Sequence, residues 1–281
     1  MIKDKTGYIL LIPAILWFVV FGIYPIFRSI QLSFYEAGPM FSQFVGFQNF
    51  IDIFQTERII KGFVNTFKFT ALCVPILTIL PLIIAMLGYR MKPFFQKSIR
   101  FAYYIPMLAA GPVLAIIWGF LFKTGGFINF ITGTKTTWFG VNPFAFYAIC
   151  IILLASNLGL SIIIYMASMS AINQDLYDAA KLDGCSQIQE DWYITVPQIS
   201  KTIGFIFFIK IIGTAQIWQL PFLLTGGGVN FGTTTAVLEI YLQAFQFGKY
   251  GYASAIGVIF VIVLGIIMAI QRKFFTGRSN D

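Results

Sequence analysis

The 281-residue sequence has no histidine, and its acidic and basic side chains together make up only 11%. Without His, the commonest metal ligand and the commonest general base near neutral pH are both missing. No clustered acid, base or nucleophile takes their place, so no catalytic residue, metal site or cofactor is assigned to this chain. The three cysteines do not compensate: Cys73 and Cys150 lie in apolar runs and Cys185 in a polar stretch, without metal-like spacing or a neighbouring thiol. The net charge of +8 comes from bases scattered between apolar runs rather than gathered with aromatics on one face or tail. That placement excludes nucleic acid as a partner.

What is present is apolar. The chain is 58% hydrophobic and 18% aromatic, against roughly 45–50% apolar and 25% charged residues in soluble domains. So few charges cannot clothe a core of this size in water, and membrane lipid is the implied solvent. A membrane helix needs about 20 mostly apolar residues. That window marks spans at 9–27, 67–89, 103–122, 144–166, 202–224 and 253–269. The expected fold is therefore all-α, a polytopic membrane protein with six transmembrane helices in one domain over 1–281. The 9–27 run follows Lys3 and Lys5 as a secretory signal would. It is long, however, carries Pro13 and Pro25 and lacks a clear small-residue cleavage site, so it reads as a retained span.

Lys and Arg in the connections set orientation. Arg90, Lys92, Lys97 and Arg100 follow the second span with no acid among them, and Arg272, Lys273 and Arg278 follow the sixth. Both segments belong in the cytoplasm, as does the N-terminus with Lys3 and Lys5. The 167–201 connection then also faces the cytoplasm. It carries Asp175, Asp178, Asp183, Glu190 and Asp191, the densest acids in the chain. Periodicity alone leaves two readings open: a solvated amphipathic helix pair, or a docking element for a soluble partner.

The spans themselves are interrupted. Pro106 and Pro112 enter the third, Gly213 and Pro221 the fifth, and Gly226-Gly227-Gly228 follows the fifth. Backbone freed by such breaks is tolerated in a membrane only against protein or a water-filled cavity, which makes these spans pathway candidates or simple kinks.

The 167–201 connection reads Leu176-Tyr177-Asp178-Ala179-Ala180-Lys181-Leu182-Asp183-Gly184-Cys185 and, eight residues later, Ile194-Thr195-Val196-Pro197. Small residues at Ala179 and Ala180 suit close approach of another surface, and Gly184 permits a sharp C-terminal turn. The spacing resembles the cytoplasmic signature of binding-protein-dependent permeases: Glu-Ala-Ala, two variable residues, Asp-Gly-Ala, eight variable residues, Ile-any-Leu-Pro. Asp178, Cys185 and Val196 are the departures. Phe44-Val45-Gly46-Phe47-Gln48-Asn49-Phe50, Asn65-Thr66, Leu224-Thr225-Gly226-Gly227-Gly228 and Gly251-Tyr252-Ala253-Ser254-Ala255 look like further fragments of the family's sugar-type branch, that of maltose and glycerol-phosphate permeases.

The resemblance implies the type I permease fold of ABC importers in a bacterial cytoplasmic membrane, with both termini cytoplasmic. It also implies a second permease subunit, two ATP-binding subunits holding ATP and magnesium, and an extracytoplasmic solute-binding protein. Leu176, Tyr177, Asp178, Ala179, Ala180, Leu182, Asp183, Gly184, Cys185 and Pro197 would form the ATPase-coupling element. The Thr225-Gly226-Gly227-Gly228 run lacks the Lys-Ser/Thr of a phosphate loop, which agrees with hydrolysis residing in another chain.

Sugars are held by aromatic faces with amide and hydroxyl groups. Gln216, Trp218 and Gln219 in the fifth span offer that mixture, with Asn157 in the fourth and Trp118 in the third as neighbours. Each is equally suited to an interfacial or helix-bridging role. Lys210 lies well inside the fifth span. At about 1.5 Å per residue it sits roughly 12 Å from the cytoplasmic side, within reach of the interface by snorkelling. An ion-coupled secondary transporter is the rival, but it would show intramembrane acids or internal repeats, and neither is found.

Overall fold

A computed structural model describes residues 5–276; Lys3 and Arg278, used above for orientation, lie outside them. Among the described residues, five helices are long and apolar enough to cross a membrane, and a bent pair, taken as one span, brings the number to six. The chain divides into two compact units. One comprises residues up to Ile60 with Glu239–Val263, the other Lys61–Leu238 with residues from Leu264 onward.

In the smaller unit the first span runs Leu10–Leu32, five residues beyond the expected end. A π-helical turn, Val19–Ile23, joins its two α-helical parts. None of its most apolar stretch is buried, so lipid or another subunit must cover it. A short hairpin follows, Tyr35–Ala37 paired antiparallel with Ser42–Phe44, a small β element that the all-α expectation omits. Asn49, on helix Gln48–Gln55, donates from Nδ2 to the carbonyls of Ser33 and Tyr35 at 2.9 Å each. The sixth-span helix, Tyr250–Thr276, begins against this hairpin. Gly251 lies so close to the Tyr35 carbonyl that no side chain fits there. Fragments 44–50 and 251–255, far apart in sequence, thus belong to one packing unit.

The larger unit has its core between the second, fourth and fifth spans, where Phe69, Leu77, Ile149, Ile162, Met166 and Ile206 are buried together. Phe69 stacks on Phe146 with centroids 4.2 Å apart. The second span is one helix, Glu57–Tyr89, starting ten residues before the expected 67. Its first turns carry Glu57, Arg58 and Lys61, which lower the local hydropathy without ending the helix. Arg58 Nε donates to both carboxylate oxygens of buried Glu239 at 2.8 Å, so this charge is neutralised within the smaller unit.

The third span departs most from expectation. Residues 103–108 belong to a separate helix, Pro93–Leu108, and the span proper is Gly111–Thr132. Ala109 and Ala110 are extended between the two, and Pro112 enters the first turn of the new helix. Proline there loses no helical hydrogen bond, whereas it could not continue a preceding helix. The fourth span bends by 41° between Phe144–Asn157 and Gly159–Met169. A Cβ on Gly159 would sit 2.7 Å from the Tyr103 carbonyl carbon, so glycine lets helix Pro93–Leu108 lie directly on the bent segment. The fifth span, Ser200–Thr225, is broken between Ala215 and Gln219.

Candidate functional site

The 167–201 connection forms a capped knob. Helix Gln174–Leu182 starts at Asn173, whose Oδ1 accepts the Asp175 N–H at 3.1 Å. It ends at Gly184 with φ +76°, where the Cys185 N–H returns to the Ala180 carbonyl at 2.9 Å. Two residues later Ser186 opens a second helix with a capping box: its N–H donates to Gln189 Oε1 at 2.7 Å and its Oγ accepts the Gln189 N–H at 3.4 Å. Two fixed helices therefore flank a turn that only glycine adopts freely.

The knob is tied down on its inner side. Ala180 is buried, and the Tyr177 hydroxyl shares a 2.9 Å hydrogen bond with the Thr195 hydroxyl. Burial pushes the Tyr177 phenol above its ordinary value, with the Thr195 bond opposing. Arg90, just past the second span, supplies the main clamp. Its Nη2 donates to Asp191 Oδ1 at 2.7 Å and to the Gln187 carbonyl at 3.0 Å, and lies 3.5 Å from Glu190 Oε2. Glu190 and Asp191 are thus internal structure, and only Asp175, Asp178 and Asp183 of the acid cluster face outward. Asp178 pairs with Lys181 at 3.0 Å. Sequence reasoning used Arg90 for orientation and missed this clamp, because nothing local links residue 90 to residue 191.

The outer side is unusually apolar for a segment outside the membrane helices. Leu182 is 90% exposed, and Leu176, Ile188, Trp192 and Tyr193 are exposed as well. Ala179, Asp183 and Cys185 share this exposure, as does Pro197 in the first turn of Val196–Gln198, just ahead of the fifth span. The knob thus exposes large apolar side chains alongside acids on a rigid base.

The pathway candidates are only partly brought together. Gln216 and Gln219 are exposed and Trp218 half-buried at the break in the fifth span. Gln219 Oε1 lies over Gly111, so the breaks of the third and fifth spans adjoin. Trp118 is half-buried, 5.9 Å from Phe122 between ring centroids, in a cluster with Ala148 and Ile152. Asn157 turns away: its Nδ2 donates back to the Leu153 carbonyl at 2.8 Å.

The breaks do not leave all their backbone free. Lys210 Nζ donates to the Asn157 carbonyl at 2.7 Å, a structural role met by a main-chain carbonyl and not by snorkelling. Thr235 Oγ1 donates to the Ile217 carbonyl at 2.6 Å. Asn65 donates to the Phe231 and Thr234 carbonyls at 2.8 and 3.1 Å, and the Thr66 hydroxyl accepts the Ala236 N–H at 3.0 Å. Asn65-Thr66 therefore anchors the loop that leaves Gly226-Gly227-Gly228, all three glycines having positive φ.

Comparison with known proteins agrees with this architecture. Over 282 residues the chain is 26% identical to the sulfoquinovosyl glycerol transport system permease protein SmoG of Agrobacterium fabrum, covering 97% of this chain and 90% of that one. Over 288 residues it is 27% identical to the lactose transport system permease protein LacF of Rhizobium radiobacter, covering 99% and 95%. The fold matches a chain of a bacterial ABC transporter involved in import of the acidic polysaccharide alginate, with a TM-score of 0.88 at 22% identity over 99% of this chain and 97% of that one. With residues 50–280 matching the family as well, the chain belongs to the binding-protein-dependent transport system inner membrane components, multi-pass permeases that are not themselves catalytic.

Proposed function

We propose that this chain forms half of the translocation pathway of an ATP-driven importer for a sugar or oligosaccharide. A second permease completes the pathway, two ATP-binding subunits holding ATP and magnesium dock on the cytoplasmic side, and an extracytoplasmic solute-binding protein delivers cargo. The N- and C-termini and the 167–201 connection face the cytoplasm, and 1–281 acts as one permease domain. The observation that carries this reading is the knob: helix Gln174–Leu182 presents Leu182 and Asp183 beside the positive-φ turn at Gly184, on a base that Arg90 joins to the second span. Force applied there by an ATPase passes directly into a membrane helix. Nucleotide-dependent contact with this element would bias two access states by differential binding.

Sugar as cargo is favoured by the transport systems of the relatives and by the amide and indole groups of Gln216, Trp218 and Gln219 at adjoining breaks. Trp118 packs against Phe122 and Asn157 returns an amide hydrogen to its own helix, so both stand at the edge of that group. The deciding experiment is purification of the chain from native membranes with identification of its companions and assay of ATP hydrolysis. Recovery of a second permease and an ATPase whose hydrolysis rises with a sugar-loaded binding protein is expected. A lone chain supporting ion-coupled uptake would refute the proposal.

A further inference from the structure

The smaller unit holds a cavity that neither the knob nor the breaks of the third and fifth spans use. Its volume is about 620 Å³, inside the roughly 300–1,000 Å³ of small-molecule sites, and every lining residue belongs to that unit. The lining comes from the hairpin, from helix Gln48–Gln55 and from the segment between Gln243 and Tyr252 that leads into the sixth span. With the N-terminus in the cytoplasm, as proposed above, the first span delivers this cavity to the extracytoplasmic side, where cargo arrives.

Two amides in the lining are more than nine-tenths buried: Asn49 is 6% exposed and Gln243 8%. Asn49 spends its Nδ2 on the Ser33 and Tyr35 carbonyls, which leaves Oδ1 to accept. The Gln243 side chain has no hydrogen-bond partner among the described residues. Neither amide is sealed off without a partner, so their unpaired atoms open on the cavity they line. Beside them stand two carboxylates, Glu36 and Asp52; Gln48 Nε2 donates to Asp52 Oδ1 at 2.7 Å, and Oδ2 stays free to accept. Two aromatic rings complete the lining and are held in place. Arg58 lies over the Phe247 ring at 5.7 Å from its centroid, and the Tyr252 hydroxyl donates to Thr56 Oγ1 at 3.2 Å.

Buried amides without partners in the chain demand them from outside it. Water would meet the amides but gains nothing from the aromatic faces. A basic side chain would meet the carboxylates but offers no acceptor to the Gln243 N–H groups. A pyranose ring answers all three, its hydroxyls donating to carboxylates and accepting from an amide while its C–H face lies on an aromatic ring. We propose that this cavity is an extracytoplasmic subsite for a neutral saccharide, bound by Gln243, Asn49 and Asp52 and stacked on Phe247. Glu36 and Asp52 turn away acidic sugars by like-charge repulsion. The inference rests on the sugar-importer reading and adds to it a second, outer contact with cargo.

The test takes the assembly with which the chain co-extracts, freed of any solute-binding protein, and titrates it with lactose, maltotriose and xylotriose as neutral probes and trigalacturonate as the acidic one. Saturation-transfer difference NMR reads binding. At least one neutral probe is expected to bind, and trigalacturonate at least about tenfold more weakly. Gln243→Leu and Asp52→Asn each weaken the neutral probe severalfold; the second changes only a half-exposed side chain, so the test survives if the first misfolds. Phe247→Ala loses binding and Phe247→Tyr restores it. Absence of binding by all three neutral probes overturns the subsite, as does wild-type affinity in Asp52→Asn and in folded Gln243→Leu. A loss seen only in Gln219→Leu, which would place all saccharide contact at the fifth-span break, overturns it too. Companion subunits and ATP hydrolysis decide the importer reading, whereas this titration measures the cavity alone, so either can fail without the other.

Discussion

Lys210 Nζ donates a 2.7 Å hydrogen bond to the main-chain carbonyl of Asn157, the last residue of the helix at which the fourth span bends. A helix end leaves carbonyls without partners and carries partial negative charge. In a membrane such groups must be satisfied by protein or by water in a cavity, and an ammonium group answers both the hydrogen-bonding and the charge demand. The same solution recurs in neutral form where Thr235 caps Ile217 at the break of the fifth span.

Substituting Lys210 by Met keeps the length of the stem and removes the donor. A half-buried carbonyl then loses a charge-assisted bond, a change of about 1.5–3 kcal/mol. The melting midpoint in detergent should fall by several degrees, and uptake should fall with it. A wild-type midpoint in Lys210→Met would show that the bend holds without this bond.

How much of this was legible beforehand depends on the range of the interaction. The spans follow from runs of apolar residues, so their existence and number could be read locally. Their limits could not: the second span begins at Glu57 because Arg58 meets Glu239, 181 residues away. The break at Ala109–Ala110 was signalled by Pro112, yet a hydropathy window runs across it because both sides are apolar. In the knob, Gly184 was readable as a turn, whereas Ala180, expected where another surface approaches, is buried within the chain itself. The Arg90 clamp was not readable, and neither was the union of Asn65-Thr66 with the loop after the triple glycine. Those fragments could be matched to a family but not explained until the fold brought them together.

Gly184 offers a clean separation of turn geometry from side-chain chemistry. At φ +76°, a β-branched residue is strained by roughly 1–2 kcal/mol, whereas asparagine visits this region with little penalty. Gly184→Asn should therefore keep co-purification of the ATP-binding subunit near wild type, and Gly184→Val should reduce it severalfold with the melting midpoint of the membrane part little changed. Equal co-purification of both variants would remove the turn from the coupling element.

Gly159 tests the close approach of two backbones. Alanine there would force its Cβ to within 2.7 Å of the Tyr103 carbonyl carbon and 3.1 Å of Tyr104 Cα. Neither neighbour is a flexible side-chain end, so helix Pro93–Leu108 must shift, at a cost of about 1–3 kcal/mol. Gly159→Ala is expected to lower thermal stability in detergent and to quicken proteolysis of the 90–110 segment. Unaltered cleavage would mean that the segment repacks freely.

The Arg90 clamp makes the strongest prediction about coupling, because it joins the knob to the second span through two acids and a carbonyl. Arg90 and Asp191 are 25% and 22% exposed at the side chain, so solvent screens the pair and its coupling energy should be only about 1–2 kcal/mol. Arg90→Gln and Asp191→Asn should each weaken ATP-dependent uptake severalfold, and the double variant should be little worse than either alone. ATPase binding should suffer less than uptake, since the exposed face of the knob is unchanged and only its transmission to the membrane helix is loosened. Losses that simply multiply in the double variant would separate the two residues. Weakened binding with normal turnover of the bound complex would make Arg90 a folding aid for the knob and not a mechanical link.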